Sequence, residues 1–186
     1  PLLLMAPGAA VGIAAGGMCL WWFGELPAGE AILKLCIGLI AGGFVILRVA
    51  RRRPAATPFR PGLRHGTFAG LILGISSTLA HAAGPVAVMY LLTQQLGKKR
   101  FVATSVILFW AVNQAKLVPY GLLGMINTGS LTLGLWLVPA VLLGAGLGKY
   151  LNRRLGERNF NGVIYALLAL TAAGLAADAI AEISGG

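Results

Sequence analysis

The chain has 186 residues, 58% of them hydrophobic and 11% charged, with a formal net charge of +10. Mean hydropathy is +0.83, whereas soluble domains carry about 25% charged residues, so the composition excludes an ordinary soluble domain and points to an all-α polytopic membrane protein. The positive charge lies in short loops beside apolar spans, so it reads as membrane topology rather than as a nucleic-acid surface; the lipid bilayer is an expected partner and nucleic acid is not.

A membrane-crossing helix needs about 20 apolar residues. From the N-terminus, residues 1–23 form the first candidate span, closed by Trp21, Trp22 and Phe23, and such aromatic residues favour the membrane interface. Residues 28–48 form the second. Cys19 and Cys36 lie inside these spans without a C-x-x-C pattern. They read as small buried hydrophobes rather than as a disulfide, a zinc site or a redox relay. RRRPAATPFRPGLR, 51–64, is the clear linker, basic and broken by three prolines, and it sets a boundary at 51–65. The apolar region 66–96 is interrupted by HAAGP at 81–85, and three further spans follow at 101–124, 131–151 and 160–180.

Charge decides how 66–96 is threaded. If it enters and leaves on one side as a re-entrant broken helix, 13 of the 15 basic residues share that side, with only Lys34 and Lys116 inside spans. The opposite loops then hold no Lys or Arg, and Glu25, Glu30, Asp178 and Glu182 lie in or near them. If 66–96 crosses instead, the 51–64 and Lys98–Arg100 clusters fall on opposite faces and the bias disappears. The positive-inside rule therefore favours a hairpin, with the basic loops cytoplasmic and the chain multi-pass in the cell inner (plasma) membrane.

An internal repeat accompanies this topology. A shift of 132 residues brings Pro7 onto Pro139, Gly12 onto Gly144, Gly16 onto Gly148, and Gly24-Glu25 onto Gly156-Glu157. Ile32 then meets Ile164, Leu35 meets Leu167, and Gly42 meets Gly174. The loop at 24–27 is acidic and its counterpart at 152–159 is rich in arginine, so the two copies have opposite orientation, as in inverted-repeat transporters. Residues 66–186 make a full repeat two of one hairpin and three spans. Residues 1–50 supply only the last two spans of repeat one. The repeat thus predicts that the N-terminal part of repeat one, about 65–70 residues, is missing ahead of Pro1.

The polar residues gather around the break. Irregular backbone at membrane depth is tolerated where it is buried in protein or lines a cavity. Gly84 permits the turn and Pro85 suits the first position of a new helix. That helix would begin near mid-membrane with free N–H groups and a positive dipole end, an anion site in outline. Ser76, Ser77, Thr78 and His81 supply further donors, or alternatively back-bond and tie the hairpin. On the next span Ser105, Phe109, Asn113, Lys116 and Tyr120 share one helical stripe. Lys116 lies about 12 Å from the outer end of that span, and an intramembrane ionisable group is a functional candidate by default. Snorkelling is the alternative for Lys116 and the preferred reading for Lys34. The spans offer no buried carboxylate to neutralise Lys116, since Glu30 and Asp178 lie near their ends, which favours a small anionic substrate.

GISSTLAHAAGPVAVMYLLTQQLGKKRFVATSVILFWAVNQAKLVPYGLLG, 74–124, resembles the second repeat of the sulfite exporter TauE/SafE family of membrane permeases. The matching features are the glycine-spaced half-helix, the Gly-Pro break, YLL before a short basic loop, and Asn-x-x-Lys followed by Tyr and Gly. The resemblance covers 66–186 well and 1–50 more loosely. It implies a permease for small sulfur-containing anions, with sulfite or organosulfonates as the substrate class. No cofactor, metal ion or catalytic residue is expected. Self-association into a homo-oligomer is compatible with the sequence. A metal-cation permease would need buried acids or a His/Cys cluster. A membrane enzyme would need paired carboxylates or a nucleophile motif. A structural membrane protein would need neither a broken helix nor a mid-span lysine.

Overall fold

The computed structural model describes residues 2–23, 27–50 and 61–184. Among these residues all regular structure is helical. The helices are α1 (Leu2–Phe23), α2 (Pro27–Ala50), α3 (Leu63–Ala80), α4 (Ala83–Thr93), α5 (Lys98–Leu122), α6 (Thr128–Arg154) and α7 (Glu157–Ser184). Five of them, α1, α2, α5, α6 and α7, are long and apolar enough to cross a membrane. This is the all-α polytopic class that the composition demands. The helices run a few residues beyond the expected spans: α5 starts at Lys98 and α6 ends at Arg154. Arg153 and Arg154 fall in the last turn of α6, where cations complement the helix dipole. Residues 51–60 of the expected linker and the Gly24-Glu25 pair lie outside the described residues. The linker's last residues, from Leu63 on, already belong to α3.

Two seams organise the bundle. The first joins α1 to α3 and is built on glycine. A Cβ added at Gly8 would lie 1.8 Å from the Thr67 carbonyl oxygen, and one at Gly12 would lie 2.3 Å from that of Leu71. From the other side, a Cβ at Gly70 would lie 2.1 Å from the Met5 oxygen, and one at Gly74 would lie 2.5 Å from that of Ala9. The two backbones touch directly, because lipid gives helices no hydrophobic reason to associate and close packing must do it. The contacts advance in step along both chains, so α1 and α3 run parallel.

The second seam joins α2 to α7. A Cβ at Gly38 would meet the Ala172 oxygen at 2.9 Å, and Phe44 stacks on Tyr165 with ring centroids 6.4 Å apart. The Lys34 ammonium bridges Glu30 at 2.7 Å and Glu182 at 2.6 Å. Lys34 is therefore an ion-paired tie between α2 and α7, not a side chain reaching alone for water. Its carboxylate partners sit where α2 begins and α7 ends. The basic ends collect opposite: Arg48 closes α2, Lys98 opens α5 beneath Phe160, and Phe101 packs edge-on against Phe160 at 5.7 Å.

The core lies where these seams meet α4, around Met5, Ile13, Leu73, Ala87, Leu91 and Leu108. Trp21 and Trp22 stay exposed at the end of α1, as interface anchors should. Cys19 is half-buried, but Cys36 is exposed on α2, so the expected burial of both cysteines does not hold. Helix α6 stands away from the rest: its membrane segment is bare, and its C-terminal end is held by Lys98, whose ammonium donates to the carbonyls of Asn152 and Leu155.

Candidate functional site

The break in the apolar region 66–96 falls between α3 and α4. His81 ends α3 in the left-handed region, with φ 52° and ψ 19°. The Ala82 N–H then donates back to the Ser76 carbonyl at 3.0 Å. This bond reaches back six residues, and together with the left-handed residue, a position usually held by glycine, it closes the end of α3. The turn is thus made at His81 and not, as the sequence suggests, at Gly84, whose φ is not positive. Pro85 is likewise the third residue of α4 rather than its first. The physical reason is that no N–H in the first turn has an intrahelical partner, so proline is tolerated throughout that turn.

The last carbonyls of α3 would be orphans inside a membrane. Side chains from α5 satisfy two of them. Lys116 Nζ donates to the Ser77 carbonyl at 3.1 Å, and the Tyr120 hydroxyl donates to that of Thr78 at 3.0 Å. Lys116 and Tyr120 are one helical turn apart, so they present to the same face. The Lys116 side chain is 8% exposed. Its ammonium also lies 5.6 Å from the Tyr120 ring centroid, within cation–π range. Tyr120 in turn stacks on His81, with centroids 6.3 Å apart and planes inclined by 22°. Among the described residues Lys116 makes no ion pair with a carboxylate.

The start of α4 is treated differently. No side chain caps it, which leaves the N–H groups of Ala83 and Gly84 without an intrahelical partner. A Cβ at Gly84 would meet nothing within 4 Å. The side-chain side of that glycine therefore borders open space. Pro85, Ala82 and Ala83 around it are buried.

The other expected donors divide. Ser76 and Thr78 are buried, but their hydroxyls donate to the carbonyls of Leu73 and Gly74 within α3, at 3.2 and 2.9 Å. This is the back-bonding alternative, and it leaves each oxygen only as an acceptor for anything further. Ser77 is buried and contributes its carbonyl to Lys116. Asn113 lies on the exposed side of α5, and no hydrogen bond joins it to the group around the break. The structure thus brings Ser77, Thr78, His81, Lys116 and Tyr120 together, with Gly84 and Pro85 just across the break. Tyr120 is the residue the sequence reading put on the Lys116 stripe but not among the substrate-binding residues; its spacing of four from Lys116 is the signal that could have promoted it. No cluster of three or more His, Cys, Asp or Glu among the described residues is placed to hold a metal ion.

A groove of about 540 Å³ runs beside this site between α1 and α5, lined by Ile13, Gly17, Met18, Trp21, Pro119 and Leu122 among others. Its walls are apolar, so it is a lipid-facing cleft rather than a place for a charged ligand.

Five membrane-length helices around a broken helix with a buried cation define a multi-pass membrane protein. The family model for sulfite exporter TauE/SafE matches residues 1–175, and the chain belongs to that family. It is accordingly a membrane permease with a small substrate. No curated protein and no solved structure matches it.

Proposed function

We propose that the chain is a secondary permease for a small oxyanion, sulfite or an organosulfonate, bound between the start of α4 and Lys116. One observation carries this reading: a nearly buried ammonium stands at a helix break without a carboxylate partner among the described residues, beside a second helix whose first amides are uncapped. An anion there would meet the positive end of α4 and the lysine charge together. The carbonyls that hold Lys116 are its resting partners, and an anion can share the ammonium because it has three protons to donate. Asn113 would line the approach. The Ser76 and Thr78 hydroxyls would act through the shape of α3 more than by direct donation.

A re-entrant path for α3 and α4 is supported by chain length. Only residues 94–97 separate α4 from α5, which allows at most about 18 Å of reach. That suits an α4 that returns to the basic end, where α5 begins. The reading then places the basic loops in the cytoplasm and the chain in the plasma membrane. The two inverted repeats would alternate access around the break.

The test is flux into proteoliposomes made with the intact gene product, offering sulfite, a small sulfonate, sulfate and chloride, with Lys116→Gln in parallel. The expected result is movement of a sulfur oxyanion by the parent and its loss in the variant. Equal flux in both would remove Lys116 from the site, and no flux of any anion would remove the proposed substrate class.

A further inference from the structure

The break holds one ionisable group that the anion site leaves unused. Ser76, Thr78, Lys116 and Tyr120 each donate a proton to a backbone carbonyl of α3. His81 differs from all four. It sits in a left-handed position that favours glycine, and its side chain is exposed. Among the described residues no hydrogen bond or ion pair holds the imidazole, which only stacks on the Tyr120 ring. Its ring nitrogens are therefore free to take or give a proton, and histidine is the side chain that ordinarily changes charge near neutral pH.

The charges around His81 say when it would be protonated. Those that act on it are Lys116 on α5 and the Glu30 and Lys34 pair on α2. Glu30 and Lys34 bridge each other at 2.7 Å, so their fields largely cancel and Lys116 is left. The Lys116 ammonium lies 5.6 Å from the centroid of the same Tyr120 ring on which His81 stacks. Two cations around one ring repel each other. An anion seated beside Lys116 offsets that repulsion, so the empty site suits a neutral imidazole and the loaded site suits an imidazolium. The Tyr120 ring can stack against either form, because an aromatic face also attracts a cation.

We propose that His81 takes up a proton together with the anion, which makes a proton the co-substrate of the permease. This rests on the anion site proposed above. Loading places the proton on a free imidazole nitrogen. Departure of the anion restores the repulsion and returns the proton to water. Linkage is reciprocal: an anion that strengthens proton binding is itself bound more tightly when the proton is present. Anion affinity is therefore greatest at low pH and falls as pH rises through the histidine range.

The experiment is calorimetric titration of the intact gene product in lipid nanodiscs at about pH 5.5 and about pH 8, on either side of the ordinary histidine value. The probes are methanesulfonate and sulfate, whose charges stay constant over that range. Sulfite is run as well, and its own titration cancels between parent and variant. Each titration is repeated in two buffers of different ionisation enthalpy, which counts the protons taken up with the anion. The variant is His81→Asn, which tolerates the left-handed backbone and does not titrate. The expected result is about tenfold tighter binding by the parent at the lower pH, with net proton uptake, and loss of both in His81→Asn. If that variant melts early, His81→Gly carries the same comparison. Parental binding that ignores pH overturns the proposal, and so does an unchanged pH profile and proton count in the variant. Failure of all three anions to bind the parent at either pH would instead remove the anion site, and the proton site with it.

Discussion

The two ends of the helix break face each other and are finished in opposite ways. At the end of α3 each carbonyl from Ser76 to Thr78 has a donor: a backbone N–H, the Lys116 ammonium and the Tyr120 hydroxyl. At the start of α4 no side chain caps the helix, and Gly84 borders empty space. The first end leaves carbonyls without intrahelical partners and the second leaves N–H groups. A purely structural break would close both. The difference teaches that the end of α3 is held by side chains of α5, while the start of α4 carries no side-chain cap.

Substitutions can break this asymmetry in graded ways. The largest effect is expected from Lys116→Met, which strips both the charge and the donor from the Ser77 carbonyl. A hydrogen bond to a charged group contributes about 1.5–3 kcal/mol, which corresponds to about 10–100-fold weaker anion binding. Thermal stability should fall as well, because a buried carbonyl loses its partner. Lys116→Gln sharpens the comparison, since the amide still donates to that carbonyl but carries no charge. Near-parental melting with lost oxyanion flux is expected there; if melting falls as far as in Lys116→Met, the lysine is chiefly a cap.

Tyr120→Phe should come next. It leaves the Thr78 carbonyl unpaired at a cost of about 1–3 kcal/mol, a loss of about 2–4 °C per kcal/mol in a chain of this size, read by differential scanning fluorimetry in detergent. An unchanged melting temperature would mean that water or lipid replaces the phenol. His81→Gly should act in the other direction. It relieves a left-handed conformation that costs a side-chain-bearing residue about 1–2 kcal/mol, partly offset by glycine's greater freedom when unfolded. A slightly raised melting temperature with slower transport is the expected pair of results, and it would show that the imidazole is kept despite strain. The smallest structural effect is expected from Gly84→Ala. With no protein atom in the way, folding should be untouched, and only the apparent KM for the anion should rise. A KM equal to the parent's would mean that no ligand approaches the start of α4.

The spans were legible in the sequence because hydropathy and loop charge act over about 20 residues at a time. The expected 28–48 and 160–180 appear within α2 and α7 almost unchanged. The break was legible too, from HAAGP in an apolar run. Its internal geometry was not. Gly84-Pro85 looks like the turn because glycine and proline are the usual breakers, yet His81 takes the left-handed position. Lys116 was legible as special by its type and depth, but its bond to Ser77 depends on how α5 is rotated against α3. Composition does not fix that rotation. The Lys34 bridge to Glu182 was missed for a related reason, since 148 residues separate the partners and only the α2–α7 seam brings them together.

The glycine seam between α1 and α3 has a mechanical consequence. Backbone resting on backbone has no side chains to repack, so the two helices cannot slide or tilt past one another without opening a gap. Any stroke that carries the broken helix must therefore carry α1 as well, as a single stiff strut. Such a motion would be taken up between that strut and its neighbours, such as α5 with Lys116.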